Sequence, residues 1–481
     1  MKDLICEGEK TLLKALEQID QNGKRVLFVV DKNDRFIGVL TDGDVRRFIL
    51  AEKPLNTPIR EIVKNKTSLS ARYGTSITEL VKLAKPPVKI IPLLDNQQRV
   101  VDYFELSAEF HAPIASTELN GNELANVIEC ITTNWISSQG RFVKAFEDGF
   151  ASYIGVKHGV AVMNGTVALH LALRALDIGP GDEVIVPDLT FAATINAVLY
   201  VGATPVLVDV EKESWSIDPQ LIEEAISPRT RAIIPVHLYG QPCNMAAIMD
   251  LAERYGLFVV EDCAEAHGAE FDGYKVGGFG HINCFSFYAN KILTTGEGGM
   301  CLTNNSELAT KMCLLRDHGM RPGKRYWHDF VGFNYRMTNL QAAVGVAQLD
   351  RIDQILSKRE EIHGWYRARL ADCKDFVPQA VIPRRKSVTW LVSYMIQGPF
   401  CDRDMLIELA AKRRIDIRPF FNSLSAMPLY AAYAPKPPEV SKILAMNGFS
   451  LPTLVSLSEE DYGFITSEIR KIADELVAVQ E

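Results

Sequence analysis

The chain predicts an α/β protein, in which a mostly parallel sheet covered by helices on both faces follows a small α+β module with its own rhythm. Two observations carry this. From Gly159 onward, short apolar runs alternate with segments of helical spacing, and strands separated by helices pair in parallel and are buried on both faces. Residues 1–108 instead repeat a helix–strand–turn–strand unit. A length of 481 residues suits about three domain-sized units.

The bulk composition excludes several classes. A net charge of -8, with 47% hydrophobic and 23% charged residues, describes an ordinary soluble globular chain. Without a basic cluster there is no electrostatic reason to expect nucleic acid or an anionic membrane as partner. The opening MKDLICEGEK lacks the apolar run of a secretory signal, so a cytoplasmic location is expected. The apolar region Val184 to Val210 is broken by Pro187, Asp188, Asn196 and Pro205, and reads as strands and helices. Nine cysteines form no CxxC pair; reduced core thiols are expected, and no metal site.

In the first module, TLLKALEQI has helical spacing and leads to the strand RVLFVVD, the turn KNDR, the strand FIGVLT and a helix opening at DGDVRRFIL. A fainter copy follows as ITELVKLA, VKIIPLLD, NQQR and VVDYFEL. This resembles a tandem pair of CBS motifs over 1–108, with a linker at 109–115. The resemblance places Thr41 and Asp44, in GVLTDGD, near the ribose or phosphate of an adenine nucleotide. Helix capping would account for both residues as well. The second copy lacks the Thr-x-x-Asp spacing, so at most one nucleotide site is expected.

In the second unit GVAVM, VALHLALRAL, EVIVP, FAATINAVLYVG, PVLVD, AIIPV, MAAIMDLAERYG and LFVVE alternate as strand and helix. Ligands of such sheets gather at the carboxyl ends of the strands. After GVAVM come Gly165 and Thr166, opening a helix whose free N–H groups suit a phosphate. Phe191 follows EVIVP and offers a ring face. Asp262 ends LFVVED, a buried acid that needs a cation. Ser286 lies within CFSFY and offers a hydroxyl, and Lys291 follows the strand, where burial can make an amine nucleophilic. A phosphate site, a ring, a carboxylate and a lysine are together the parts that pyridoxal phosphate needs, the lysine forming a Schiff base and the acid keeping the ring nitrogen protonated.

The segments NGTVALHLAL, PDLTFAATINAV, GATPVLVDV, IIPVHLYGQP, VVEDCAEAHGA, CFSFYANKILTTGEGGM and GFNYRMTNLQAAVGVAQL carry a resemblance to the DegT/DnrJ/EryC1/StrS aminotransferase family. It implies the fold-type I architecture of pyridoxal-phosphate-dependent aminotransferases: a large cofactor-binding domain at 116–355 with a mostly parallel, three-layer sheet, and a smaller α+β domain at 356–481. It assigns Lys291 as the Schiff-base lysine, Asp262 to the pyridine nitrogen, Phe191 as the stacking ring, and Gly165, Thr166 and Ser286 to the phosphate. Glu265 stands where many relatives have glutamine, facing the ring hydroxyl. Asn334 would reach the cofactor phosphate of a neighbouring subunit, so a homodimer or higher assembly with shared active sites is expected.

Some members of the family replace the Schiff-base lysine by histidine and act as dehydratases; here the residue is lysine, which favours transamination. The runs RYWHDFVGFNYRMTN and IDIRPFFNSL resemble members that aminate a GDP-4-keto-6-deoxyhexose at C4. His318 and Arg418 are the substrate candidates there, though helix capping and a plain surface role account for them equally. The resemblance implies L-glutamate as donor, 2-oxoglutarate as its product and pyridoxamine phosphate as the intermediate cofactor form. A UDP- or TDP-linked sugar, a dehydratase, or a non-enzymatic adenine-nucleotide sensor are the other readings.

Overall fold

The computed structural model describes residues 2–480 apart from 52–53, 65, 67, 76–78, 81–82, 85–89, 106–110 and 398–401. It divides into two compact units, Met1–Phe110 and His111–Glu481. The expected boundary at 108, the start of the 109–115 linker, and parts of ITELVKLA, VKIIPLLD and VVDYFEL lie outside the described residues.

The first unit holds β1 (Ile5–Glu7), β2 (Val26–Val30), β3 (Phe36–Thr41), β4 (Ala71–Arg72), β5 (Ile90–Leu94) and β6 (Val100–Glu105), in two three-stranded sheets. Both sheets have one plan: a parallel pair, then an antiparallel pair. The turns KNDR and NQQR also match. Asp31 accepts the N–H groups of Asn33 and Arg35, and Asp95 accepts those of Gln97 and Arg99, all at 2.8 or 2.9 Å. Asp34 and Gln98 occupy the same left-handed position, with φ of 59° and 61°. Successive residues of β2 point to opposite faces, so Leu27 and Val29 enter a core with Leu40 and Val45, while Val26, Phe28 and Val30 join Ile90, Leu94 and Val100 of the second copy.

Thr41 and Asp44 form a capping box on the helix Asp42–Leu50. Thr41 N–H and Oγ1–H donate to Asp44 Oδ2 at 2.9 and 2.6 Å, Lys66 pairs with the same oxygen, and Arg47 with Oδ1 at 2.7 Å. Burial pushes the Asp44 carboxyl up, but Lys66, Thr41 and Arg47 outweigh it and hold it at about 2. A depressed carboxyl stabilises the fold above its unfolded value near 3.8 and stops doing so as pH falls through about 2. Allowing for solvent screening, we expect acid to remove about 1 kcal/mol from the first unit in this window, and Asp44→Asn to abolish that pH dependence in melts followed by hydrogen exchange.

The second unit opens with β7 (His158–Val162), β8 (Glu183–Pro187), β9 (Thr204–Val208), β10 (Thr230–Ile233) and β11 (Phe258–Asp262). A short hairpin, β12 (Glu270–Phe271) and β13 (Tyr274–Lys275), precedes β14 (Ile282–Ser286) and β15 (Gly299–Thr303). Seven of these strands form one sheet in the order β7-β15-β14-β11-β10-β8-β9. Only β15 runs against its neighbours.

Alternation within each strand makes the three layers. Val184, Val186, Val260 and Cys284 enter one apolar core, with the helix Gly165–Ala175; Ile185, Val259 and Phe285 enter the other, with the helix Arg141–Ile154. The architecture is that of fold-type I enzymes.

The helix Ile352–Arg369 runs unbroken across the expected 355/356 division. Beyond it lie β16 (Phe376–Pro378), β17 (Arg385–Lys386), β18 (Val392–Ile396), β19 (Arg418–Pro419) and β20 (Gly448–Leu451). β17 pairs with the β12 hairpin, while β16-β18-β20-β19 is an antiparallel sheet. The helices Arg403–Lys412 and Ile352–Arg369 both pack on Glu459–Gln480, around buried Tyr366 and Tyr462. Among the described residues no helix is long and apolar enough to cross a membrane.

Candidate active site

The carboxyl ends of β8, β11 and β14 and the start of the helix Gly165–Ala175 converge on a cavity of about 390 Å³. Gly165, Thr166, Phe191, Asp262, Glu265, Ser286 and Lys291 all line it. Asp262 and Ser286 are the last residues of β11 and β14, and Phe191 and Lys291 follow the ends of β8 and β14.

At one end, Asn164 caps the helix, its Oδ1 accepting the Val167 N–H at 3.0 Å. The first N–H groups of a helix have no acceptor within it, so those of Gly165 and Thr166 face an anion site with the positive end of the dipole behind them. Ser286 closes this end. A Cβ on Gly165 would come within 2.7 Å of Ser286 Cβ and 3.1 Å of its Oγ. Gly165→Ala must push the helix start and Ser286 apart, a strain of about 1–3 kcal/mol. We expect cofactor affinity, measured by absorbance titration, to fall by about tenfold or more.

Asp262 is 5% exposed. Thr194 Oγ1–H donates to its Oδ2 at 2.8 Å, and the Ala264 N–H to Oδ1 at 3.2 Å. Burial pushes this carboxyl up by more than those donors pull it down. Among the described residues no cationic side chain lies within ion-pair distance of it. An acid in this state fits a protonated ring nitrogen arriving from the cavity.

Lys291 Nζ lies 3.4 Å from Glu265 Oε1 and 3.8 Å from the centroid of the Trp390 ring. Glu265 Oε2 accepts the Tyr239 N–H at 2.8 Å. Burial pushes the Glu265 carboxyl up, with Lys291 and the Tyr239 N–H opposing it. Asn290 Oδ1 is buried in the cavity wall with no hydrogen-bond partner, an acceptor open to a ligand. Phe191 is 58% exposed, with Phe421 5.7 Å from it between ring centroids. A phosphate site, an unpaired buried acid, an open ring face and an amine thus meet in one cavity, and these residues fit pyridoxal phosphate.

Behind the site, His237, Glu261 and Cys263 are buried together. Glu261 Oε1 accepts the N–H groups of Phe279 and Gly280 at 2.7 Å, and Oε2 that of Gly277 at 2.8 Å with His237 Nε2 at 3.0 Å. With both oxygens engaged, the trio is a hydrogen-bonded brace for the end of β11.

Three expected residues lie elsewhere. Asn334 is exposed and its Oδ1 accepts from Arg336 at 3.5 Å. His318 is exposed with φ of 59°, its carbonyl 2.9 Å from His328 Nδ1. Arg418 is exposed and forks onto Asp416, Nε to Oδ1 and Nη2 to Oδ2, both at 3.0 Å. None of them lines the cavity. Sequence reasoning missed Thr194, Tyr239, Trp390 and Phe421. Phe421 stands in the same IDIRPFFNSL run that suggested Arg418, and its aromatic pair was the available signal; Trp390 offered none.

Residues 117–470 match the DegT/DnrJ/EryC1/StrS aminotransferase family, and residues 1–51 match the CBS domain. The chain is 48% identical to a GDP-perosamine synthase of Caulobacter vibrioides, over 75% of this chain and 97% of that one. It is 42% identical to a GDP-perosamine synthase of Escherichia coli O157:H7, over 75% and 98%. Among solved structures it is similar to a putative sugar aminotransferase of Streptococcus pneumoniae in its PLP form, with a TM-score of 0.72 at 26% identity, covering 76% of this chain and 100% of that one. The chain belongs to the DegT/DnrJ/EryC1/StrS aminotransferase family and is a pyridoxal-phosphate-dependent aminotransferase.

Proposed function

We propose that the enzyme moves an amino group from L-glutamate to the keto carbon of a nucleotide-linked sugar, a GDP-4-keto-6-deoxyhexose aminated at C4, releasing 2-oxoglutarate. The product class is a perosamine-type amino sugar for glycan, O-antigen or lipopolysaccharide assembly, made in the cytoplasm. The observation that carries this reading is Lys291 beside Glu265 in the cavity that also holds Asp262. The sugar comes from the two relatives at 48% and 42% identity, both named GDP-perosamine synthase. The described cysteines are all free thiols, as a reducing compartment requires.

When bound, pyridoxal phosphate supplies an electron sink for a carbanion at the amine-bearing carbon. The chain's residues do the rest. Gly165, Thr166 and Ser286 would hold the phosphate, Phe191 the ring and Glu265 its hydroxyl. Asp262 would keep the ring nitrogen protonated. Lys291 would hold the cofactor covalently and, as the free amine, would take the proton from the donor carbon and return one to the sugar carbon. Incubation with L-glutamate and GDP-, UDP- and TDP-4-keto-6-deoxy sugars, followed by mass spectrometry, tests the substrate. The GDP sugar should gain the amine, and amination of a UDP or TDP sugar alone would overturn this choice. A dehydratase would remove water from the sugar and leave no amine on it.

The assembly proposed is a homodimer in which Asn334 completes the neighbour's phosphate site. Its exposure, away from its own chain's cavity, supports this. Mixing the inactive variants Lys291→Ala and Asn334→Ala should restore activity, because one site of each hybrid keeps both residues; a mixture that stays inactive contradicts sharing. In the first unit, an adenine nucleotide docking at Thr41 and Asp44 would exchange Lys66 or Arg47 for a ribose hydroxyl, and titration with AMP, ADP and ATP tests it.

A further inference from the structure

Lys291 and Glu265 belong to a closed ring of contacts whose other members are Tyr239, Trp390 and Asn290. Glu265 accepts the Tyr239 N–H at 2.8 Å through Oε2 and lies 3.4 Å from Lys291 Nζ through Oε1. The Tyr239 ring stacks on Trp390, centroids 6.0 Å apart and planes 12° from parallel. Trp390 Nε1–H donates to the Asn290 carbonyl at 2.9 Å, one residue before Lys291. The ring closes where the face of Trp390 meets Lys291 Nζ at 3.8 Å.

The backbone accepts strain to build it. Tyr239 has φ of 52°, a left-handed conformation that a bulky residue rarely adopts. Gly240 follows with φ of 88°; a Cβ there would strike the Val388 carbonyl, while the Val388 N–H donates to the Gly240 carbonyl at 3.1 Å. Only glycine allows the segment bearing Trp390 to come this close. Trp390 and Tyr239 are 5% and 4% exposed, so packing fixes both rings, and Trp390 turns its remaining surface to the cavity.

We infer that Trp390 is a positioning residue whose ring face, with Glu265, holds the Lys291 side chain in place while it is off the cofactor and carries the proton it transfers. This rests on Lys291 being the cofactor-bonding amine. A free lysine has a flexible four-carbon arm and many rotamers, yet it must reach one carbon and later return to the cofactor. A carboxylate and an aromatic face both attract a cation, and tryptophan has the strongest face. They keep the side chain pointed into the cavity, and a leucine at 390 would leave only Glu265.

The test is the rate of Lys291 labelling by trace acetic anhydride at one fixed pH in the cofactor-free full-length chain, read by peptide mass spectrometry. An amine held by the ring face and Glu265 reacts slowly, so losing a partner speeds the labelling. Trp390→Leu should raise the rate by about threefold to thirtyfold, and Trp390→Phe by less. Replacing tryptophan with fluorinated tryptophan in the wild-type chain keeps the shape and weakens the ring face, so it should also raise the rate. Rates unchanged across the Trp390 variants and the fluorinated chain would overturn the inference. Borohydride reduction of the loaded wild-type chain separates the two failures. Cofactor trapped on another lysine would overturn the assignment of Lys291 as well; cofactor trapped on Lys291 with unmoved rates overturns only the role of Trp390.

Discussion

Lys291→Ala should lower transamination by about four orders of magnitude or more while leaving the fold intact. On the proposed mechanism the side chain would bond the cofactor and move the proton, so its loss would remove two functions at once. Its contacts in the cavity are Glu265 and the Trp390 face, neither of which depends on the lysine for its position: Glu265 is held by the Tyr239 N–H and Trp390 by the Asn290 carbonyl. Glu265 without its cation loses one of the two groups that oppose the upward push of burial on its carboxyl. The melting temperature should therefore move little, and the visible absorption of lysine-bound cofactor should vanish. Full turnover in this variant would contradict the assignment.

Asp262→Asn should cost about two to three orders of magnitude in turnover and much less in cofactor binding. The phosphate end proposed at Gly165, Thr166 and Ser286 would supply affinity and is untouched. What the variant would lose is the negative charge proposed to keep the ring nitrogen protonated. The amide keeps an oxygen for the Thr194 hydroxyl, so packing changes little. A pH signature accompanies this. Burial raises the folded-state value of Asp262 in the cofactor-free chain, so its contribution to stability is present below the unfolded value near 3.8 and is lost as pH rises through the folded one. Asp262→Asn should remove that part of the pH dependence of unfolding, measured with denaturant. Equal turnover in wild type and variant would count against the ring-nitrogen role.

Most of this architecture was legible in the sequence, for a local reason. Runs such as EVIVP and LFVVE are apolar on both faces, so successive residues feed the two separate cores, and the residue just after each strand is where polar chemistry can begin. Asp262 and Lys291 could be picked out in that way, as could Gly165 with Thr166 at a helix start. The opposite wall of the cavity could not. Trp390 and Phe421 come from the C-terminal region, where β17 and β19 have two residues each and no periodicity to read. Thr194 sits inside an apolar helix and shows its role only when Asp262 is brought beside it. Arg418 was chosen because an arginine fork suits phosphate, but two residues earlier Asp416 is in place to occupy that fork.

The most direct test of the central claim is the absorbance of the full-length, pyridoxal-phosphate-loaded enzyme on addition of L-glutamate alone. The visible band of the lysine-bound cofactor should disappear, with one 2-oxoglutarate released per site, and a nucleotide-linked 4-keto sugar should bring it back as the aminated sugar forms. A band that persists at saturating L-glutamate, with no 2-oxoglutarate released, would contradict the account.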